Sequence, residues 1–262
     1  MEYLNINSKG DYVIVQMNRP KVNAINFQMV KELRATFKKL QADDAVQGVI
    51  LTGLPGVFSA GLDLIELYDY DEEKIRAFFV AFGSLHVEMV KFPKPFICAV
   101  TGHSPAGGTV FAITGDYRIM AEGEKFTLGL NEVAVNVQIS TNLIYSYGVW
   151  LGRSKAYKHI LAGKLLNNEE ALRDGLVDEV VPMDQVLPRA EKRMQKYLQA
   201  NPDILRNTKA KLRKDWWDTF DANIKTSEVE LQMATEVWWS PDVRMRMQMF
   251  KAMLQSKKAT TS

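Results

Sequence analysis

Two short turns and one carboxylate hold the chemical possibilities of this 262-residue chain. The first turn, Pro105-Ala106-Gly107-Gly108, separates an apolar run at 95–100 that reads as a buried strand from another at 109–114 that reads as a buried helix. The second, Gly56-Val57-Phe58-Ser59-Ala60-Gly61-Leu62-Asp63-Leu64, follows a probable strand at 48–52. Corners built from small residues leave backbone N–H groups free at a helix start, where negative charge is also favoured. Glycine there lets a ligand approach the main chain closely. Two such corners can aim one N–H each at a single oxygen, which is the arrangement of an oxyanion hole. Taken alone, Gly107 and Gly108 fit tight helix–sheet packing equally well. A carboxylate follows at Glu132, and by itself it reads as a solvated loop side chain.

The elements that must position these groups alternate along the first half. Residues 3–7 and 12–17 read as strands, with Val13, Val15 and Met17 on one face. Residues 27–41 read as an amphipathic helix carrying Met29, Val30, Leu33, Phe37 and Leu40 at helical spacing. A longer helix covers 71–91. This punctuation predicts an α/β fold with buried strands. After a strand at 178–181 the second half reads as helix, over 190–198, 203–216, 220–234 and 242–254. The last of these and their approach are rich in large apolar residues, among them Trp216, Trp217, Phe220, Trp238, Trp239 and Met247. They cover either the protein's own core or a subunit contact.

In this order the pieces resemble the crotonase (enoyl-CoA hydratase/isomerase) superfamily, over about residues 11–253. The resemblance rests on Asn18-Arg19-Pro20 with Asn23-Ala24, on Phe58-Ser59-Ala60-Gly61-Leu62-Asp63, and on the turn from Gly102 to Gly108. Asp116-Tyr117-Arg118 and the run from Ala171 to Asp178 complete it. Pro105-Ala106-Gly107-Gly108 and Gly129-Leu130-Asn131-Glu132 are most similar to the mitochondrial type of Δ3,Δ2-enoyl-CoA isomerase. The resemblance implies a spiral of ββα units over 1–200, and a helical region over 201–262 that caps the active site and helps to form a homotrimer or a dimer of trimers.

It also implies roles. The oxyanion donors would be the backbone N–H groups of Leu62 and Gly107, and the base would be Glu132. Hydratases of the family use a second glutamate on the helix after the glycine turn, where this chain has Val110. One carboxylate suits an isomerase, which moves a proton from C2 to C4 without activating water. The apolar Val133, Val135 and Val137 beside Glu132 are expected to raise its pKa. Downstream the chain departs from the family pattern, with Asn136, Gln138 and Ser140 as polar residues that line the acyl pocket or lie on the surface. Coenzyme A, carried by an acyl-CoA substrate rather than as a separate cofactor, would meet the backbone at Asn23-Ala24. It would also meet Ala60 and Leu62, and a lysine at its phosphates: Lys21, or one of Lys209, Lys211 and Lys214. Asp63 is expected to cap the following helix.

Other functions find less support. His86, His103 and His159 lack the spacing of a metal site, and the single cysteine, Cys98, falls in a strand. No nucleotide-binding glycine motif is present. Decarboxylation or thioester hydrolysis stays open on the same scaffold, and Val110 argues against ordinary hydration. An RNA-binding crotonase relative is the remaining alternative, on the basic run 206–214. That run has no interleaved aromatics, the net charge is only +2, and a charged helix face is the simpler reading. No run is long and apolar enough to cross a bilayer. The start carries no leader-like pattern and the end, Thr260-Thr261-Ser262, is not the peroxisomal tripeptide, so a cytoplasmic protein is expected.

Overall fold

Runs rich in β-branched and aromatic residues form the strands, and their burial on both faces decides where they sit. The computed structural model describes residues 1–135 and 137–259, so Asn136 and Thr260-Thr261-Ser262 lie outside the described residues. Strand β1 (Leu4–Ser8) pairs antiparallel with β2 (Tyr12–Met17). Val13, Val15 and Met17 join the main core, whereas Tyr12 and Ile14 join a second core on the opposite face. Helix α1 (Phe27–Ala42) starts at the Asn26 cap, whose side chain accepts from Met29 N–H.

Three successive passes then share one plan. Strand β3 (Gly48–Thr52) is followed by the short β4 (Gly56–Val57), then by helices α2 (Leu64–Tyr68) and α3 (Glu72–Val90). Strand β5 (Phe96–Val100) is followed by β6 (Gly102–Pro105) and helix α4 (Gly107–Ala112). Strand β7 (Tyr117–Ala121) is followed by β8 (Leu128–Gly129) and a 3-10 turn, Glu132–Val135. The first strand of each pass enters a six-stranded sheet of order β1-β2-β3-β5-β7-β9, and the second enters a three-stranded sheet of order β4-β6-β8. This is the ββα spiral that the resemblance implied.

Helices α5 (Thr141–Leu151), α6 (Arg153–Leu161) and α7 (Asn168–Asp174) lead to β9 (Glu179–Val181). Helix α8 (Met183–Leu198) closes the second core. Then follow α9 (Pro202–Leu212), α10 (Lys214–Ala222), α11 (Ile224–Trp239) and α12 (Pro241–Ala259). Among the described residues no helix is long and apolar enough to cross a membrane.

The structure corrects the sequence reading in the second half. Helix α8 begins at Met183 rather than near 190 and contains Pro188. Buried Val186, Ala190 and Met194 form a continuous stripe against the sheet, and that packing outweighs the lost backbone hydrogen bond. The helix expected over 203–216 breaks at Arg213, α10 is a separate helix, and the helix expected over 220–234 begins at Ile224 and runs to Trp239. The basic run is a solvated face only in part: Lys211 and Lys214 are exposed, whereas Lys209 and Arg213 are buried. Lys209 donates to Lys94 O and Asp116, both at 2.7 Å, and Arg213 donates to Val90 O at 2.9 Å and Thr114 O at 3.0 Å. Arg213 also pairs with Asp116 at 2.8 Å. These buried contacts fasten α9 and α10 beneath the spiral. Of the large C-terminal apolar residues, Trp216, Phe220, Trp238 and Met247 are buried in the chain's own core.

Candidate active site

The turn after β4 is shaped by hydrogen bonds on both sides of Leu62. Phe58 N–H and Ser59 N–H donate to His103 O, and Ser59 Oγ donates to Asn23 O at 2.7 Å while accepting from Gly61 N–H. Ile25 N–H donates to Gly61 O and Asp63 N–H to Ile25 O. Gly61 adopts φ +82°, a region that a side chain would strain. Asp63 caps α2 by accepting from Glu66 N–H and pairs with Arg19 at 2.7 Å. Flanked in this way, the Leu62 N–H has no acceptor among the described residues.

The second turn meets the first. Ala106 N–H donates to Gly129 O at 2.8 Å, and Ala106 itself holds a positive φ of 46°, a strained conformation for a residue with a β-carbon. Gly107 opens α4, so its N–H has no partner within the helix. Helix α4 is only six residues long, and what it offers is these local N–H groups rather than a long dipole. A β-carbon on Gly108 would lie 2.7 Å from Ser59 O and 2.9 Å from Ser104 Oγ, and one on Gly61 would lie 3.4 Å from Gly107 N. The two corners are therefore in contact, and glycine permits it.

Glu132 arrives on a loop suspended from the same turn. Gly129 N–H donates to Thr109 Oγ1 at 2.7 Å, and Thr109 Oγ1 in turn donates to Ser104 O. Glu132 is 6% exposed and its Oε2 has no hydrogen-bond partner. Burial pushes its carboxyl up from 4.5 to about 7. That is a useful range for a group that must accept and then return a proton. Val110 is fully buried in the core and supplies no proton-transfer group.

A cavity of about 970 Å³ joins these groups, bordered by Ala60, Leu62, Gly107 and Glu132. Gln138 and Ser140 also border it, and Ser140 accepts from Leu143 N–H as the cap of α5. Of the three valines expected around Glu132, Val135 and Val137 border the cavity, whereas Val133 is 47% exposed and does not. Lys21 and Ala24 lie outside the cavity, on the loop before α1; Lys21 is exposed and Ala24 O accepts from Arg19 at 2.8 Å. Lys209 is buried against Asp116, whereas Lys211 and Lys214 are exposed, Lys214 in a surface pair with Asp218.

Part of the cavity's outer wall comes from α11, through Leu231, Ala234 and Trp238, within the C-terminal region that the resemblance implied as a cap. The sequence reading missed the part that α3 supplies through Phe79 and Gly83. His86 borders the cavity too; burial lowers its pKa to about 3, and Nε2 lies 3.1 Å from Ser146 Oγ, so it is a neutral, fixed side chain. The helical period of α3 was legible, but not which of its faces would line a cavity.

The enoyl-CoA hydratase/isomerase family model matches residues 8–257. The mitochondrial enoyl-CoA delta isomerase 1 of Rattus norvegicus is 34% identical over 246 residues, 94% of this chain and 84% of that protein. A probable enoyl-CoA hydratase of Mycobacterium leprae is 34% identical over 181 residues, 68% of each chain. The crystal structure of human mitochondrial Δ3,Δ2-enoyl-CoA isomerase superposes with a TM-score of 0.91 at 27% identity, covering 98% of this chain and 99% of that one. With a crotonase fold, two abutting N–H corners and a matching sequence over nearly its whole length, the chain belongs to the enoyl-CoA hydratase/isomerase family.

Proposed function

We propose that the protein is a Δ3,Δ2-enoyl-CoA isomerase with Glu132 as its single proton carrier. The observation that carries this reading is that Glu132 is the one buried carboxylate bordering the cavity among the described residues, with Val110 where hydratases of the family hold their second acid. Ionised Glu132 removes a proton from C2 of a 3-enoyl thioester. The electron pair of that C–H bond moves into C1–C2, and the carbonyl π pair moves onto oxygen. The resulting dienolate oxygen accepts from Leu62 N–H and Gly107 N–H. Each such donor is worth about 3 kcal/mol of transition-state stabilisation. Protonated Glu132 then returns its proton to C4, the carbonyl re-forms, and the double bond rests between C2 and C3.

In this reading the adenine meets the main chain at Asn23-Ala24, Lys21 faces the phosphates, and Ala60 and Leu62 flank the pantetheine. Exposed Val229, Met233, Met245 and Met249 on α11 and α12 support a subunit contact through these helices, as in a homotrimer or a dimer of trimers.

The test is turnover of trans-3-hexenoyl-CoA by the wild type and by Glu132→Gln, with the product analysed for 3-hydroxyacyl-CoA. The reading requires 2-enoyl product from the wild type, its loss in the variant, and no hydrated product beyond the uncatalysed level. Hydration by the wild type would instead place the protein among the family's hydratases.

A further inference from the structure

Helix α3 carries Phe79, Gly83 and Val87 four residues apart, the spacing of one ridge on a helix surface. All three border the cavity, and so do Leu231, Ala234 and Trp238 of α11. The two helices touch where Phe79 meets Trp238, with ring centroids 5.5 Å apart. Some 10 Å further along α3, at seven residues of 1.5 Å each, His86 meets Phe220 of α10 at 5.4 Å. Between these closures the ridge has a gap. A β-carbon placed on Gly83 would meet nothing within 4 Å, although Gly83 sits in the middle of a 19-residue helix. Its φ does not require glycine, no neighbouring backbone crowds it, and a helix interior disfavours glycine relative to alanine. Gly83 is exposed, and its missing side chain leaves open space at the border of the cavity that α3 and α11 both line.

We propose that Gly83 sets the acyl-chain length that the enzyme accepts: the gap it leaves is the passage through which the apolar tail of a long acyl thioester runs between α3 and α11. The inference rests on the isomerase reading above for its substrate class. A short acyl group ends before the gap, whereas a long one must enter it. A branched side chain at this position would occupy the passage without disturbing a packed neighbour.

The experiment compares kcat/KM for trans-3-dodecenoyl-CoA and trans-3-hexenoyl-CoA in the wild type, Gly83→Leu, Ala234→Leu and Ala77→Leu. Ala77 is exposed on α3 and does not border the cavity. The dodecenoyl-to-hexenoyl ratio should fall about tenfold or more in Gly83→Leu, since a few methylenes excluded from an apolar pocket discriminate on that scale. Ala234→Leu, which narrows the passage from the facing helix, should lower the ratio too, and Ala77→Leu should keep the wild-type value. A Gly83→Leu ratio within roughly twofold of wild type overturns the proposal. If the wild type isomerises neither thioester, the isomerase reading has failed on its own. The passage is then judged by calorimetric binding of saturated dodecanoyl-CoA against butyryl-CoA to the same four proteins, where an unchanged ratio in Gly83→Leu overturns it equally.

Discussion

Thr109 and Gly129 are joined by a 2.7 Å hydrogen bond from the Gly129 N–H to the Thr109 hydroxyl, which links the loop of the proposed base to the helix of a proposed oxyanion donor. The hydroxyl's own proton goes to Ser104 O. One buried side chain thus helps to set the spacing between Glu132 and Gly107, beside the bond from Ala106 N–H to Gly129 O. Thr109→Val keeps the shape and removes the acceptor. The buried Gly129 N–H is then left unpaired, at a cost of about 1–3 kcal/mol. Chemical denaturation should show that loss, kcat should fall more than KM changes, and Thr109→Ser should recover both.

Glu132 should govern how activity depends on pH. Its carboxyl must be ionised to accept a proton, and burial holds it near 7. A plot of kcat/KM against pH should therefore rise with a midpoint near 7 and flatten above it. A midpoint near the ordinary 4.5 would mean that the group is not desolvated when it reacts.

The same burial predicts an inverse effect on stability. The folded state binds this proton more tightly than the unfolded state does. Stability is therefore unaffected by the group below pH 4.5, declines as pH rises from there to about 7, and carries the full penalty above that. At 1.36 kcal/mol per tenfold change in proton affinity, the penalty is about 3 kcal/mol. Glu132→Gln, inactive by the proposed mechanism, should be more stable than the wild type at pH 8 by an amount of that order. At pH 4 the two should unfold together. Urea midpoints at the two pH values provide the check.

Gly108→Ala should damage the site without touching a titratable group. Its β-carbon would fall 2.7 Å from Ser59 O, a main-chain atom that cannot move aside cheaply. The two corners must separate, at about 1–3 kcal/mol of stability. The loss in kcat should approach that of an oxyanion donor, on the order of a hundredfold. Steady-state kinetics beside a melting curve would separate the two effects.

Asp116 accepts from Phe96 N–H at 2.8 Å and from both Lys209 and Arg213. Asp116→Ala leaves two buried cations without their anion, and breaking such a cluster costs about 3–5 kcal/mol. The variant should unfold at markedly lower denaturant, and Glu132-dependent turnover should persist wherever the fold survives.

Much of this molecule is legible in its sequence where one segment suffices to specify its own surroundings. The apolar spacing of Met29, Leu33, Phe37 and Leu40 marks α1, and the Asp63 and Asp71 side chains cap the helices that follow them. The two-residue strands β4 and β8 are not legible, because nothing in Gly56-Val57 or Leu128-Gly129 marks a strand until β6 lies between them. Lys209 and Arg213 look like surface charges until Asp116 is folded beneath them. Glu132 reads as an ordinary loop carboxylate on composition alone; the resemblance singles it out and the neighbouring valines point to the direction of its pKa shift, but the extent of its burial comes from packing of distant segments. Gly83 sits inside a strongly periodic helix, and only the folded chain places it on the border of a cavity that α11 also lines.

The two charge-stabilising groups proposed here are peptide N–H groups, and this shapes how the protein can change over generations. A replacement at Leu62 alters the size of the pocket but cannot delete the donor, since every residue except proline brings the same N–H. Inactivating changes should therefore concentrate at Glu132 and at the glycines that let the corners meet. The surrounding walls are left free to drift toward other acyl groups, so this site can diversify in what it accepts faster than it can lose what it does.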